Sequence, residues 1–151
     1  MNRPRKFLIA VSFGALLASC GSSSNNANSP QTALQNTHQR LQGRWLLVDF
    51  RPDEPLEPML HALLAAQFNT LTLTVGPDQM RAVGTGVDTQ RRYRLQWATG
   101  DQAAVKVLDE GGIAYDVAFS FERNALAFSS RTSPWRGAGR LRRLEWVEPI
   151  Y

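Results

Sequence analysis

The chain has 151 residues, with 17 Lys and Arg against 13 Asp and Glu for a net charge of +4, and one cysteine. A single cysteine excludes an internal disulfide and a thiolate metal site, so a folded part must hold together by core packing. That is feasible at about 110 residues. The excess charge sits at the N terminus, on Arg3, Arg5 and Lys6, and is therefore a poor argument for a nucleic-acid partner.

Those three cations precede an apolar run of twelve residues, Phe7 to Ala18. A membrane-spanning helix needs ~20 apolar residues, so the run reads as the h-region of a secretory signal and not as a span. It ends in Leu17-Ala18-Ser19-Cys20, which resembles the lipobox of bacterial lipoproteins. The resemblance implies cleavage of residues 1–19 and lipidation of Cys20, with a diacylglyceryl thioether and an amide-linked acyl chain. Two or more acyl chains give a stable membrane anchor where one does not. Gly21 stands where aspartate would retain such a protein in the inner membrane, which favours the outer membrane and its periplasmic face. Cleavage leaves fourteen basic against thirteen acidic residues, a net charge of +1. The expected partner is thus the membrane, through the N-terminal lipid, with no nucleic acid; a protein partner stays open.

Residues 20–42 continue from the lipid site as a Ser-, Asn- and Gln-rich stretch with few large apolar side chains, read as a flexible tether. About 20 flexible residues span roughly 25 Å. From Gly43 to Tyr151 the pattern is one β domain. Alternation of apolar and polar residues predicts strands over 43–50, 70–75, 79–85, 92–97, 103–108, 113–121, 125–129 and 138–147. The clearest is Thr70-Leu71-Thr72-Leu73-Thr74-Val75, with apolar residues on one face and threonines on the other. Short spacers such as Gly76-Pro77-Asp78 and Asp109-Glu110-Gly111-Gly112 carry hairpin chemistry. Eight consecutive antiparallel strands with one apolar face predict an all-β, up-and-down closed barrel, because closure removes the exposed edges. Residues 55–67 break the alternation. Leu56, Leu60, Leu63 and Leu64 share a stripe, and Pro55 suits a first helical position, so a short helix is expected to cap one barrel end between the first two strands.

Gly43-Arg44-Trp45 resembles the Gly-x-Trp opening of lipocalins and related calycin barrels. The resemblance implies that Trp45 closes the narrow end of the barrel with a basic residue of the last strand over its ring, here Arg140, Arg142 or Arg143. A cation over an indole face is worth ~0.5–2 kcal/mol. The chain departs from the family in placing its helix early and in lacking the family's second motif.

Little points to catalysis. His38 falls in the tether and His61 in the helix, too few for a three-ligand zinc site, and no Gly-x-Ser-x-Gly elbow occurs. Asp53, Glu54, Asp109 and Glu110 lie in cap or turn contexts. No metal, cofactor or enzymatic activity is expected. The inward aromatics Trp45, Tyr93, Trp97, Tyr115, Phe119, Phe121 and Phe128 admit two readings. With Leu47 and Leu64, all but Phe121 are candidates to line a pocket for a small hydrophobic molecule or lipid, in a barrel whose interior is only just wide enough for side chains or one small ligand. Alternatively they fill a solid core, and the domain acts through its surface as a tethered structural or interaction module. The basic stretch from Arg131 to Arg143, which includes Trp135, is either a phosphate-contacting surface or a solvated strand face; Trp135 and Trp146 are the candidates for an interaction patch.

Overall fold

A computed structural model describes residues 30–112, 114–131 and 136–145. The signal segment 1–19, the lipidation site Cys20, residues 20–29, Trp135 and Trp146 lie outside the described residues. The elements are α1 (Pro30–Leu41), β1 (Gly43–Pro52), α2 (Pro58–Ala65), β2 (Thr72–Val75), β3 (Gln79–Gly84), β4 (Val87–Ala98), β5 (Gln102–Leu108), β6 (Ala114–Phe121), β7 (Ala125–Ser130) and β8 (Gly137–Leu144). Each strand pairs antiparallel with the next, and β8 returns to β1, so the sheet is a closed up-and-down barrel of eight strands.

Inside lies a continuous apolar core, with Trp45 and Leu47 from β1, Val75, Met80, Tyr93, Val105, Phe119, Leu126 and Leu141 contributed around the ring. The outer face is polar: Arg44, Arg81, Asp88, Arg92, Arg94 and Arg140 are all exposed. A barrel that crosses lipid needs an outward apolar band ~25 Å tall, and this outer face does not form one.

Two bulges shift the phase of the pattern. Along β1, Leu47 pairs with Leu141 and Asp49 with Arg140, leaving Val48 as the extra residue. Strict alternation from Trp45 and Leu47 would turn Asp49 inward. The bulge turns Phe50 inward instead, where it is buried, and leaves Val48 exposed. Along β4, Leu95 pairs with Val105 and Trp97 with Ala104. Ala103 and Val105 are buried, so Ala104 and its partner Trp97 face outward. The expectation that Trp97 lines the interior is therefore corrected: the extra residue at 96 sends Ala98 inward, and Trp97 is 45% exposed.

The helices also depart from expectation. Residues 30–41, read as part of the tether, form α1. Leu34, Thr37 and Leu41 recur at helical spacing, and the barrel end supplies the apolar surface that the segment lacks by itself. Leu41 and Thr37 are essentially fully buried against it. The second helix begins at Pro58 and not at Pro55. Glu57 has ψ of 148°, the extended conformation favoured before a proline, and Pro58 takes the first helical turn.

One barrel end gathers the turns at 76–78, 99–101 and 122–124 under α1 and is the closed end. The other gathers α2, the β3–β4 turn, the end of β5 with the start of β6 and the end of β7 with the start of β8, and is the open end.

Candidate ligand cavity at the open end

The last turn of α2 continues into a tight, partly 3₁₀ segment: Gln67 N–H donates to Leu64 O and Phe68 N–H to Ala65 O. Asn69, in the left-handed region at φ 59°, ends it, and its N–H donates to Leu47 O at 2.8 Å. The helix is thereby drawn down onto the rim beside β1. Leu64 is buried, while Met59, Leu60 and Leu63 on the same short helix are exposed.

Beneath α2 the barrel mouth holds an open, cleft-like cavity of about 430 Å³, lined by Leu47, Phe50, Leu63, Leu64, Gln67, Leu71, Val87, Thr89 and Phe128. Small-ligand sites run to ~300–1,000 Å³ and are mostly apolar with a few placed polar groups. One wall is a stacked pair, the rings of Phe50 and Phe128 lying 5.8 Å apart at 16°. β8 passes behind this pair with Gly139 turned inward. A Cβ there would strike Asp49 O and would come within 2.8 Å of the Phe128 ring edge, so the glycine makes room for the stack.

Gln67 closes the cavity on the α2 side. Its Nε2 donates to Thr85 O at 2.9 Å and Leu63 O at 3.2 Å, which uses both amide hydrogens and fixes which way the amide points. Its Oε1 accepts no hydrogen bond from a described group and is fully buried. That oxygen lies where the side chain of Gly84 would project. Gly84 follows Met80 and Ala82 on the inner face of β3, so Oε1 fills the space that a side chain there would take and is packed against the β3 backbone.

A polar cluster stands farther along the inner wall. Arg91 Nε lies 2.7 Å from Asp109 Oδ1, and Arg91 Nη1 lies 3.3 Å from Glu110 Oε1. The Glu110 N–H donates to Asp109 Oδ1 at 2.8 Å, and the Tyr115 hydroxyl donates to Oδ2 at 3.1 Å. Those two hydrogen bonds, together with Arg91, hold the Asp109 carboxyl below its usual range. Bonding to the same carboxylate raises the Tyr115 hydroxyl. The acids of this turn thus tie the β5–β6 connection to β4.

A space of about 400 Å³ also lies against the closed end, but Arg40, Glu122, Arg123, Arg142, Arg143 and Glu145 make its lining mainly charged. Trp45 Nε1 donates to Leu41 O at 2.9 Å, satisfying a terminal carbonyl of α1. The Arg143 guanidinium lies over the Trp45 ring at 5.2 Å and donates to Gln42 O at 3.2 Å. The Tyr93 hydroxyl donates to Gly76 O at 2.6 Å, so its one proton is committed, and His38 Nε2, 2.9 Å away, donates to it. Burial, aided by the charge of Asp78, pushes the Tyr93 hydroxyl up to about 12.

Of the residues read from sequence as candidate pocket lining, Leu47, Leu64 and Phe128 line the cavity. Trp45, Tyr93 and Phe119 lie in the packed core, Tyr115 is held by Asp109, and Trp97 is outside the barrel. Of the arginines expected over Trp45, Arg143 takes that place, just after β1 opens at Gly43. Arg140 and Arg142 are exposed on the outer face, with Arg140 Nε 3.8 Å from Glu122 Oε2. Phe50, Leu63, Gln67, Leu71, Val87 and Thr89 were not singled out. Phe50 is out of phase because of the bulge, and Gln67 looked like an ordinary polar residue at a helix end. Among the described residues no three His, Cys, Asp or Glu side chains gather to hold a metal ion. Compared with protein-family models, curated proteins and solved structures, the chain matches none.

Proposed function

We propose that this protein is a lipid-anchored binding protein of the bacterial cell envelope that holds or carries a small hydrophobic molecule in its barrel. The observation that carries the reading is the apolar cavity of about 430 Å³ beneath α2. Its lining sets it apart: spaces of similar volume elsewhere on the described residues are lined mainly by polar and charged side chains. The asymmetry of the ends supports the same reading, since a carrier needs one sealed end and one through which cargo passes. The closed end resembles that of a lipocalin, with Gly43-Arg44-Trp45 opening the first strand and Arg143 over the indole. The anchor reading rests on Leu17-Ala18-Ser19-Cys20 and places the barrel near lipid, a source of apolar cargo. No residue is assigned a catalytic role.

Native mass spectrometry of the full chain after exposure to envelope lipid extract tests the binding. A retained small molecule, displaced by a competing apolar probe, is the expected result. A protein that takes up no apolar compound would overturn the reading. Labelling cells with a radioactive fatty acid tests the anchor separately: label is expected on the wild type and absent from Cys20→Ser.

A further inference from the structure

A patch of arginines sits at the closed end, apart from the cavity. The cleft there runs between the last turn of α1, the β6–β7 turn and the end of β8, and Arg40, Arg123, Arg142 and Arg143 line it with Glu122 and Glu145. These charges come from three stretches far apart in sequence, and only the closed barrel brings them together. Arg40 lies over Phe121 and 3.6 Å from Asp101, and Arg143 lies over Trp45. Glu122 is engaged by Arg140 outside the cleft. Arg123 and Arg142 are exposed and form no ion pair among the described residues. Four guanidinium groups against two carboxylates favour an anion, and the planar guanidinium fork suits a phosphate. The chain also arrives at this end. α1 caps it, and Pro30 at the start of α1 stands ten positions from Cys20. Ten flexible residues span roughly 17 Å, so a lipid on Cys20 holds this end close to the headgroups. The open end lies a barrel length farther away, and Asp53, Glu54 and Glu57 precede its α2, acids that an anionic surface repels.

We infer that the arginine cleft is a second membrane contact, which takes the phosphates of anionic phospholipid headgroups in the membrane that holds the lipid anchor. The contact stands the barrel closed end down, with its mouth and α2 facing away from that membrane. A patch this small binds a distant membrane weakly. Tethering makes the contact intramolecular and raises the effective concentration of headgroups without any new interaction. The inference rests on the anchor reading above and adds a surface, a lipid class and an orientation.

The lipidated protein in phosphatidylcholine vesicles, with and without phosphatidylglycerol, tests it. An alkylated Cys20 leaves no other thiol, so one introduced cysteine is labelled alone. Gly100→Cys carries a fluorophore at the closed end, and Gly111→Cys carries one just past β5 at the open end; a Cβ at either position meets nothing within 4 Å. Quenching by a lipid with a spin-labelled headgroup reports how near each probe lies. Adding phosphatidylglycerol is expected to raise quenching at Gly100→Cys roughly twofold and to leave Gly111→Cys unchanged or lower. The rise should vanish in high salt and in the double variant Arg123→Ser with Arg142→Ser. Both arginines are exposed, so that variant should keep its urea midpoint. No rise at Gly100→Cys, an equal rise at Gly111→Cys, or a rise that survives the double variant overturns the inference. Mass spectrometry of the purified protein separates the two readings: a Cys20 without acyl chains overturns the anchor itself, whereas an acylated protein without the rise overturns only the contact.

Discussion

The two ends of this barrel are built from the same eight strands and differ in how completely their polar groups are matched. At the closed end the indole of Trp45 satisfies a carbonyl of α1, Thr37 Oγ1 donates to Thr99 O, Tyr93 and His38 form a chain to Gly76 O, and Arg40 lies 4.3 Å over Phe121 while bonding Gly100 O. At the open end a buried oxygen has no donor and a short helix shows Met59, Leu60 and Leu63 to solvent. The contrast separates structure from function within one core. Matched groups hold the closed end, and the open end keeps an unmatched oxygen and exposed apolar side chains.

The largest expected effect tests the closed end. Trp45→Ala removes a 3% exposed indole, its bond to α1 and the seat of Arg143. A loss of ~3–5 kcal/mol is expected, read as a shift in urea midpoint. A loss below about 1 kcal/mol would mean that α1 and Trp45 do not seal the barrel. Next comes Gly139→Ala, which forces a methyl group against Asp49 O and Phe128. A cost of ~1–3 kcal/mol is expected from overpacking, with weaker uptake of an apolar probe, because Phe128 lines the cavity and must shift. Unchanged uptake would disconnect the Phe50–Phe128 stack from the ligand.

How much of this was legible in sequence follows the same division. The eight strands, their order and the barrel closure were readable, because period-2 alternation and turn residues act locally and each hairpin joins neighbours. The closed end was partly readable through Gly43 and Trp45, although Arg143 could be chosen over Arg140 and Arg142 only once the register was known: it pairs with Trp45, while Arg142 pairs with Leu46. The cavity was poorly readable. Its wall depends on the β1 bulge, and a single extra residue there or in β4 reverses every later side chain. That reversal brought Phe50 in and turned Trp97 out. Gln67 carries no pattern at all. Its significance comes from Thr85 and Gly84, which the turn at the end of β3 brings beneath it. The helix α1 was hidden because its composition is polar and its stability comes from the barrel end.

A pH scan distinguishes the ends at intermediate magnitude. The Tyr93 hydroxyl is raised from about 10 to about 12 in the folded protein. The folded state therefore holds this proton more tightly than the unfolded chain. The resulting stability is fully present below pH 10 and is lost as pH rises from about 10 to about 12. The loss is on the order of 2 kcal/mol. Tyr93→Phe should flatten much of that decline while lowering stability at neutral pH, since Gly76 O loses its donor and His38 its acceptor. The Tyr115 hydroxyl is raised by Asp109 and contributes in the same direction. A wild-type curve that stays level between pH 10 and 12 would contradict the buried closed-end network.

The smallest stability effect is the most discriminating for function. Met59 is 81% exposed and does not line the cavity, whereas Leu63, four residues on, is 45% exposed and does. Both Met59→Ser and Leu63→Ser should leave the urea midpoint nearly unchanged, Met59→Ser within about 0.5 kcal/mol, because neither side chain is deeply packed. Their effects on an apolar probe should differ. Met59→Ser is expected to leave affinity alone, and Leu63→Ser to weaken it roughly fivefold or more, about the worth of one or two methylene contacts. Equal loss in both variants would make α2 an apolar surface that probes touch from outside. Loss confined to Leu63→Ser would place the ligand under the helix, against the wall that Leu63 shares with Phe50 and Phe128.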